Sequence, residues 1–430
     1  MTERFLANTS AGRRRDYGLL VAARGISTFG AGIGPVALAF GLLTLPGGGP
    51  IALSLVLTSH AVPQLLLVLI AGTLADRLPR PRLLVAAESV AGVAWAAIGI
   101  MLVTSAAPTV VLAGGAALAG IAAAVVGPAL TGLVPDIVPA ERLRSANSTL
   151  KTATHAARLA GFAAAGPTVA LIGPGYALLI NAGTFLVAAA LAACLQPSRP
   201  VAPSDSGMVR DLRDGWREFS SRQWLWVLVS AYSFNYAVVT AVTGVLGPLA
   251  ARAYLGGATA WSLILTAQGM GTVVGAVGAR WVDPARPALA ATALFPTLAV
   301  PMMLMAGATP LSLVVLGAGA GGVAAGLVSV LATTVMQQRV PAAALSRVSA
   351  YDWLGSLALT PLALALAGPA AEAFGLRLTL AACGVIVLIA SIAAIGAPQV
   401  RALRRFDSSR QQTNLAVLAT ENPRGPQPAR

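Results

Sequence analysis

Charge is scarce in this chain. Only 10% of its 430 residues are Asp, Glu, Lys or Arg, against roughly 25% in soluble domains. Together with a hydrophobic fraction of 57% and a mean hydropathy of +0.77, this excludes a water-soluble globular fold and points to a bilayer. Cysteine is nearly absent, and Cys194 and Cys383 imply neither a disulfide framework nor a metal site. The two histidines, His60 and His155, and acids gathered mostly at one edge of the spans offer no metal-ligand cluster. A phosphate-cradling loop, a nucleophile elbow and a sizeable polar domain are also missing. ATP-driven transport and intramembrane hydrolysis therefore find no support, and no cofactor is expected. A single lysine, Lys151, among 29 basic residues suits a GC-rich bacterial genome.

The net charge of +14 would suggest nucleic acid as partner in a soluble protein. Its placement argues against that. Arg252 and Arg377 fall on one side of the expected membrane, Arg24 and Arg158 fall inside helices, and the remaining basic residues share the other side. This is the positive-inside asymmetry, so the basic side is expected to be the cytoplasm. The apolar run after Asp16 is too long for the core of a cleavable signal and reads as a first spanning helix.

Apolar runs long enough to cross ~30 Å of hydrocarbon recur about twelve times. The expectation is an all-α integral membrane protein: residues 1–16 a cytoplasmic N-terminus, 17–196 a six-helix bundle, 197–222 a cytoplasmic linker, 223–396 a second six-helix bundle, and 397–430 a polar tail expected to be disordered. Within the linker, Leu212, Trp216 and Phe219 suit one side of a short amphipathic helix on the headgroups. The two bundles repeat one another at an offset of 202 positions. Val138-Pro139-Ala140-x-x-Leu143 recurs as Val340-Pro341-Ala342-x-x-Leu345, Gly166-Pro167 as Gly368-Pro369, and Gly173 as Gly375. Glycine and proline constrain backbone geometry, so these matches weigh more than shared alanines. Two copies of one helical half is an arrangement found mainly in transporters.

Between the second and third spans the chain reads Gly72-Thr-Leu-Ala-Asp76-Arg77-Leu-Pro-Arg80-Pro-Arg82, with a degenerate copy from Gly278 to Arg286. It resembles the loop signature of the major facilitator superfamily, departing from it at Pro79 and Pro81. Pro135-Asp136-x-Val-Pro139-x-Glu141-Arg-Leu143 and Arg158-Leu-Ala-Gly161-Phe-Ala-Ala-Ala-Gly166 resemble the branch that includes macrolide-efflux and enterobactin-exporter proteins. In that branch proline usually stands where this chain has Phe162. The resemblance extends to about residue 396. It implies two pseudo-symmetric six-helix bundles acting as a secondary transporter, with Gly72, Asp76, Arg77 and Arg80 as a cytoplasmic gate.

A few polar residues stand inside the expected spans. Arg158 falls near the middle of the fifth, where a charge facing lipid costs at least ~2.5–3.5 kcal/mol, so it must face a cavity or a partner. His155 lies three residues earlier on the same side. Glu88, the only acid well inside an expected span, lies at a depth similar to Arg24, and the two can pair, either as a proton-coupling group or as an ordering ion pair. Tyr232, Asn235 and Tyr236 share one side of the seventh span and suit the wall of a cavity for an amphipathic ligand. Gln268, and His60 with Gln64, can add polar contacts.

The family resemblance implies efflux of a small amphipathic molecule by proton antiport. Partners are then the substrate, protons and the lipid bilayer, for a monomer in a bacterial inner membrane with both termini cytoplasmic. Uptake by symport or uniport is the nearest alternative. A membrane-embedded enzyme or signalling protein is the alternative outside the class.

Overall fold

In the computed structural model, described for residues 2–105, 108–196, 216–217, 220–340, 348, 351–352 and 354–402, the chain is helical almost throughout. The first half holds α1 (Thr2–Thr44), α2 (Pro50–Arg77), α3 (Arg80–Thr104), α4 (Thr109–Ile137), α5 (Leu143–Ile172) and α6 (Pro174–Ala193). The second holds α7 (Gln223–Ala241, carried on to Leu255 through two π-turns), α8 (Gly257–Gly278), α9 (Pro287–Leu294, carried on through a 3-10 turn into Ala299–Ala306), α10 (Leu311–Arg339), α11 (Thr360–Phe374) and α12 (Leu376–Gly396). A last turn, α13, covers Pro398–Ala402.

Local chemistry sets these bounds. Proline stands in the first turn of α2, α3 and α6, where its missing N–H has no helical partner to lose. The repeated turns before α6 and α12 are made by Gly173 (φ 87°) and Gly375 (φ 83°), a left-handed geometry that side chains resist. The segment expected as a polar N-terminus is helical from Thr2 onward and continuous with the first span, with no proline before Pro35 to interrupt it.

Eleven helices among the described residues are long and apolar enough to cross a membrane. The twelfth expected span, α5, falls outside that set because Lys151, His155 and Arg158 make its first half polar. It is nonetheless 30 residues long and packs between α1 and α8. Most of linker 197–222 (197–215 and 218–219) and residues 403–430 of the tail lie outside the described residues. Trp216, from the linker, packs against Tyr351 with ring centroids 5.6 Å apart.

Helices pack mainly within their own half, for example α3 on α6, α2 on α4 and α8 on α10. Across the halves the principal pairings are α2 with α11 and α5 with α8. One end of the bundle holds the turn before α2 and the repeated glycine turns. There a single apolar core joins the halves: Val36, Leu38 and Leu42 of α1, Leu53 of α2, Val245 and Leu246 beyond α7, Trp261 of α8 and Met305 of α9. At the opposite, arginine-rich end the cores are separate. Leu20, Leu84, Leu133 and Val134 form one within the first half, and Leu225, Val229, Val340 and Val348 form another within the second. The halves are thus sealed together at the arginine-poor end, and among the described residues they share no core at the arginine-rich end.

Candidate substrate chamber

Two glycines fix the helix that carries Arg158. Gly161 of α5 lies against the Phe29 carbonyl, and a Cβ built on Gly32 of α1 would meet the Arg158 carbonyl at 2.7 Å. Neither position has room for a side chain, so α1 and α5 touch backbone to backbone. That contact turns the buried side of α5 (Ala146, Leu150, Gly161, Ala165, Val169) toward α1 and leaves Arg158 and His155 exposed. Arg158 is within electrostatic reach of Tyr236, from the other half, and of Arg24. It therefore faces the space between the halves. His155 stands on the same basic wall, within reach of Arg158 and Lys151.

Behind this wall Arg24 and Glu88 meet, as their matching depths suggest. The Arg24 guanidinium donates to Glu88 Oε1 at 2.5 Å, and the Ser27 hydroxyl donates to the same oxygen at 3.3 Å. Arg24 also donates to Ser27 Oγ at 3.2 Å. Glu88 is 1% exposed and Arg24 17%. The second carboxylate oxygen of Glu88 is buried without a partner. Arg24 thus stands between one anion, Glu88, and another cation, Arg158, so the charge state of Glu88 bears on the potential at the chamber wall.

On the facing wall Tyr232 and Tyr236 stack, with centroids 5.9 Å apart and planes at 14°. Phe295 of the second half meets Tyr232 edge-on at 6.4 Å. The third member of the expected trio is placed differently. Asn235 is 2% exposed and donates to the Ala231 carbonyl of its own helix at 2.8 Å. It belongs to the buried packing of α7 rather than to the exposed wall. Gln268 is likewise displaced from the expected site. It lines a small cavity of about 30 Å³ inside the second half, with Trp261, Met302 and Met305, because its neighbour Gly269 is the α8 residue turned toward Leu159 of α5. His60 stacks on Trp95 at 6.0 Å, and its carbonyl abuts Gly120 of α4, which makes it part of the first bundle's packing.

A residue given no role from the sequence stands beside the tyrosines. Asp352, ahead of α11, is within electrostatic reach of Tyr232. Its position near the start of an expected span is the sequence signal for it.

At the arginine-rich end Arg80, in the first turn of α3, holds α4. It donates to both carboxylate oxygens of Asp136, at 2.9 and 2.8 Å, and to the Gly132 carbonyl at 3.1 Å. Gly72, Asp76 and Arg77 lie in the last turns of α2, and the side chains of Asp76 and Arg77 lie outside the described ones.

Comparison with known proteins agrees with this architecture. The multidrug efflux pump Tap of Mycolicibacterium fortuitum is 27% identical over 391 residues, covering 87% of this chain and 94% of Tap. The nucleoside transporter NupG superposes with a TM-score of 0.70 at 11% identity, covering 89% of this chain and 98% of NupG. A bacterial homolog of the human lysosomal transporter Spinster, solved inward-facing and unoccupied, superposes with a TM-score of 0.65 at 15% identity, covering 93% and 98%. These structural likenesses establish the fold. The model of the Major Facilitator Superfamily matches residues 17–357, and the chain is therefore a multi-pass membrane transporter belonging to that superfamily.

Proposed function

We propose that the protein exports a small amphipathic molecule from the bacterial cytoplasm by proton antiport, through alternating access of one chamber between its halves. The observation that carries this reading is an arginine, Arg158, exposed midway along a membrane-length helix and within electrostatic reach of Tyr236 from the other half. A charge at that depth is tolerated where it faces water or ligand rather than lipid. The likeness to a multidrug efflux pump supports the direction of transport.

On this reading the arginine-rich end is cytoplasmic, both termini lie there, and the chain works as a monomer. The structure is then an inward-open state. A ligand entering from the cytoplasm lays an apolar ring on the Tyr232–Tyr236 stack and a polar or anionic group against Arg158. Glu88 is the coupling carboxylate. Its unpartnered oxygen has no donor to displace when a proton arrives. Protonation removes the countercharge of Arg24, raises the positive potential at Arg158 and changes ligand affinity. Asp76, Arg77 and Arg80 secure the cytoplasmic closure when the halves rock.

The test uses a compound to which a deletion strain is sensitive and the complemented strain resistant. Inside-out vesicles with an acidic lumen should accumulate it, and a protonophore should abolish the accumulation. Accumulation indifferent to the pH gradient, or directed only inward in whole cells, overturns the reading.

A further inference from the structure

The repeated pair Gly166-Pro167 and Gly368-Pro369 takes no part in the chamber, yet both glycines sit where the halves seal. Gly166 of α5 packs against the first turns of α8. A Cβ there would lie 2.6 Å from Thr259 Cα, 2.7 Å from Ser262 Cβ and 2.9 Å from the Ala258 carbonyl oxygen. Gly368 of α11 packs against the first turns of α2, where a Cβ would run into the Pro50 carbonyl and lie 2.6 Å from Ser54 Oγ. The contacts are equivalent by numbering. The glycines are 202 positions apart, while Pro50 and Ala258, like Ser54 and Ser262, are 208 apart. Each contact also carries a hydrogen bond between the halves. The Gly368 N–H donates to Ser54 Oγ at 2.7 Å, and the Ser262 hydroxyl donates to the Phe162 carbonyl. Both serines are 2% exposed.

We infer that Ser54–Gly368 and Ser262–Phe162/Gly166 are two latches, related by the internal repeat, that set how often the arginine-poor mouth opens. The physics favours this pairing of residue types. Glycine lets one helix approach another closely enough to exclude water, and the serine hydroxyl adds one directional bond. When the mouth opens, water takes over that bond, so each latch contributes a small, reversible bias instead of a lock. Both latches act on the same rigid-body equilibrium, so their effects multiply.

The inference needs no substrate and stands whether or not the export reading does. It is tested on the full chain with Cys194 and Cys383 replaced by serine and one reporter, Ala250→Cys, whose native side chain is 0% exposed in the sealed region. Labelling with a membrane-impermeant maleimide is timed in vesicles of each orientation. Ser54→Ala and Ser262→Ala should each speed labelling from the arginine-poor side by about 3- to 10-fold, and the double substitution by about the product. Gly166→Ala and Gly368→Ala, which wedge the same contacts, should move it in the same direction. If a glycine variant does not insert, the serine variants decide alone, since they remove one oxygen and add no bulk. Unchanged labelling in a well-folded Ser54→Ala/Ser262→Ala protein overturns the inference, as does a fall in melting temperature with no change in labelling.

Discussion

Arg24 and Glu88, 64 positions apart in sequence, meet at 2.5 Å between α1 and α3, with the carboxylate almost wholly buried. Removing one partner of such a pair strands a buried charge, at a cost of about 3–5 kcal/mol. Arg24→Met alone and Glu88→Leu alone should therefore each lower the melting temperature in detergent. Arg24→Met/Glu88→Leu should recover most of the loss, because two apolar side chains replace two mutually dependent charges. If the pair also couples protons, that stable double variant will still fail to accumulate substrate against a pH gradient. A double variant with full proton-driven accumulation would leave the pair a purely ordering role.

Arg158 gives the opposite signature. It is exposed and makes no hydrogen bond or ion pair with a described residue, so Arg158→Gln should leave the unfolding free energy within about 1 kcal/mol of the parent. Flux should fall about 10- to 100-fold, the range for losing a charge-assisted contact to ligand. Arg158→Lys should restore part of it, because lysine keeps the charge without the planar fork. Unaltered flux in Arg158→Gln would remove the residue from the mechanism.

These two sites show what the sequence makes legible. Depth along a span is readable from the position of a charge relative to the loops, and depth was enough to bring Arg24 to Glu88 and to bring Arg158 off the lipid. Orientation around a helix is harder. Tyr232, Asn235 and Tyr236 share a helical side by spacing, but that side is wide enough for the tyrosines to reach the chamber while Asn235 turns into the bundle. Gln268 is subject to the same ambiguity, resolved by the contact of Gly269 with α5. The repeat of Gly166 and Gly368 was plain in the sequence, whereas their serine partners were not, since a serine within an apolar helix carries no mark of what it faces.

Arg80 and Asp136 form a partly exposed pair, 12% and 26%, and such pairs contribute about 0–1 kcal/mol. Arg80→Ala should therefore change the melting temperature little. The pair nevertheless ties the start of α3 to the end of α4. The exchange Arg80→Asp/Asp136→Arg should restore transport rates that either single change lowers, read as initial uptake in vesicles. Failure of the exchange with both single variants active would show that the two residues act independently.

Asn235 and Tyr236 are adjacent yet should respond in opposite ways. Asn235 is buried with its amide committed to the Ala231 carbonyl, while its Oδ1 has no partner. Asn235→Leu removes a buried polar group of imperfect satisfaction while keeping the branched shape and heavy-atom count, so stability should hold or rise, with little change in apparent substrate affinity. Tyr236, 37% exposed and stacked on Tyr232, offers its ring to the chamber. Tyr236→Ala should keep the fold and weaken apparent affinity by about 3- to 10-fold, the scale of one aromatic stacking contact. Tyr236→Phe should keep most of that affinity if the ring is what matters, and lose it if the hydroxyl near Arg158 is the ligand contact. Concentration-dependent flux measured side by side for these three variants separates the wall of the chamber from the packing behind it. A loss of affinity in Asn235→Leu equal to that in Tyr236→Ala would put both residues on the same surface and contradict the placement of Asn235.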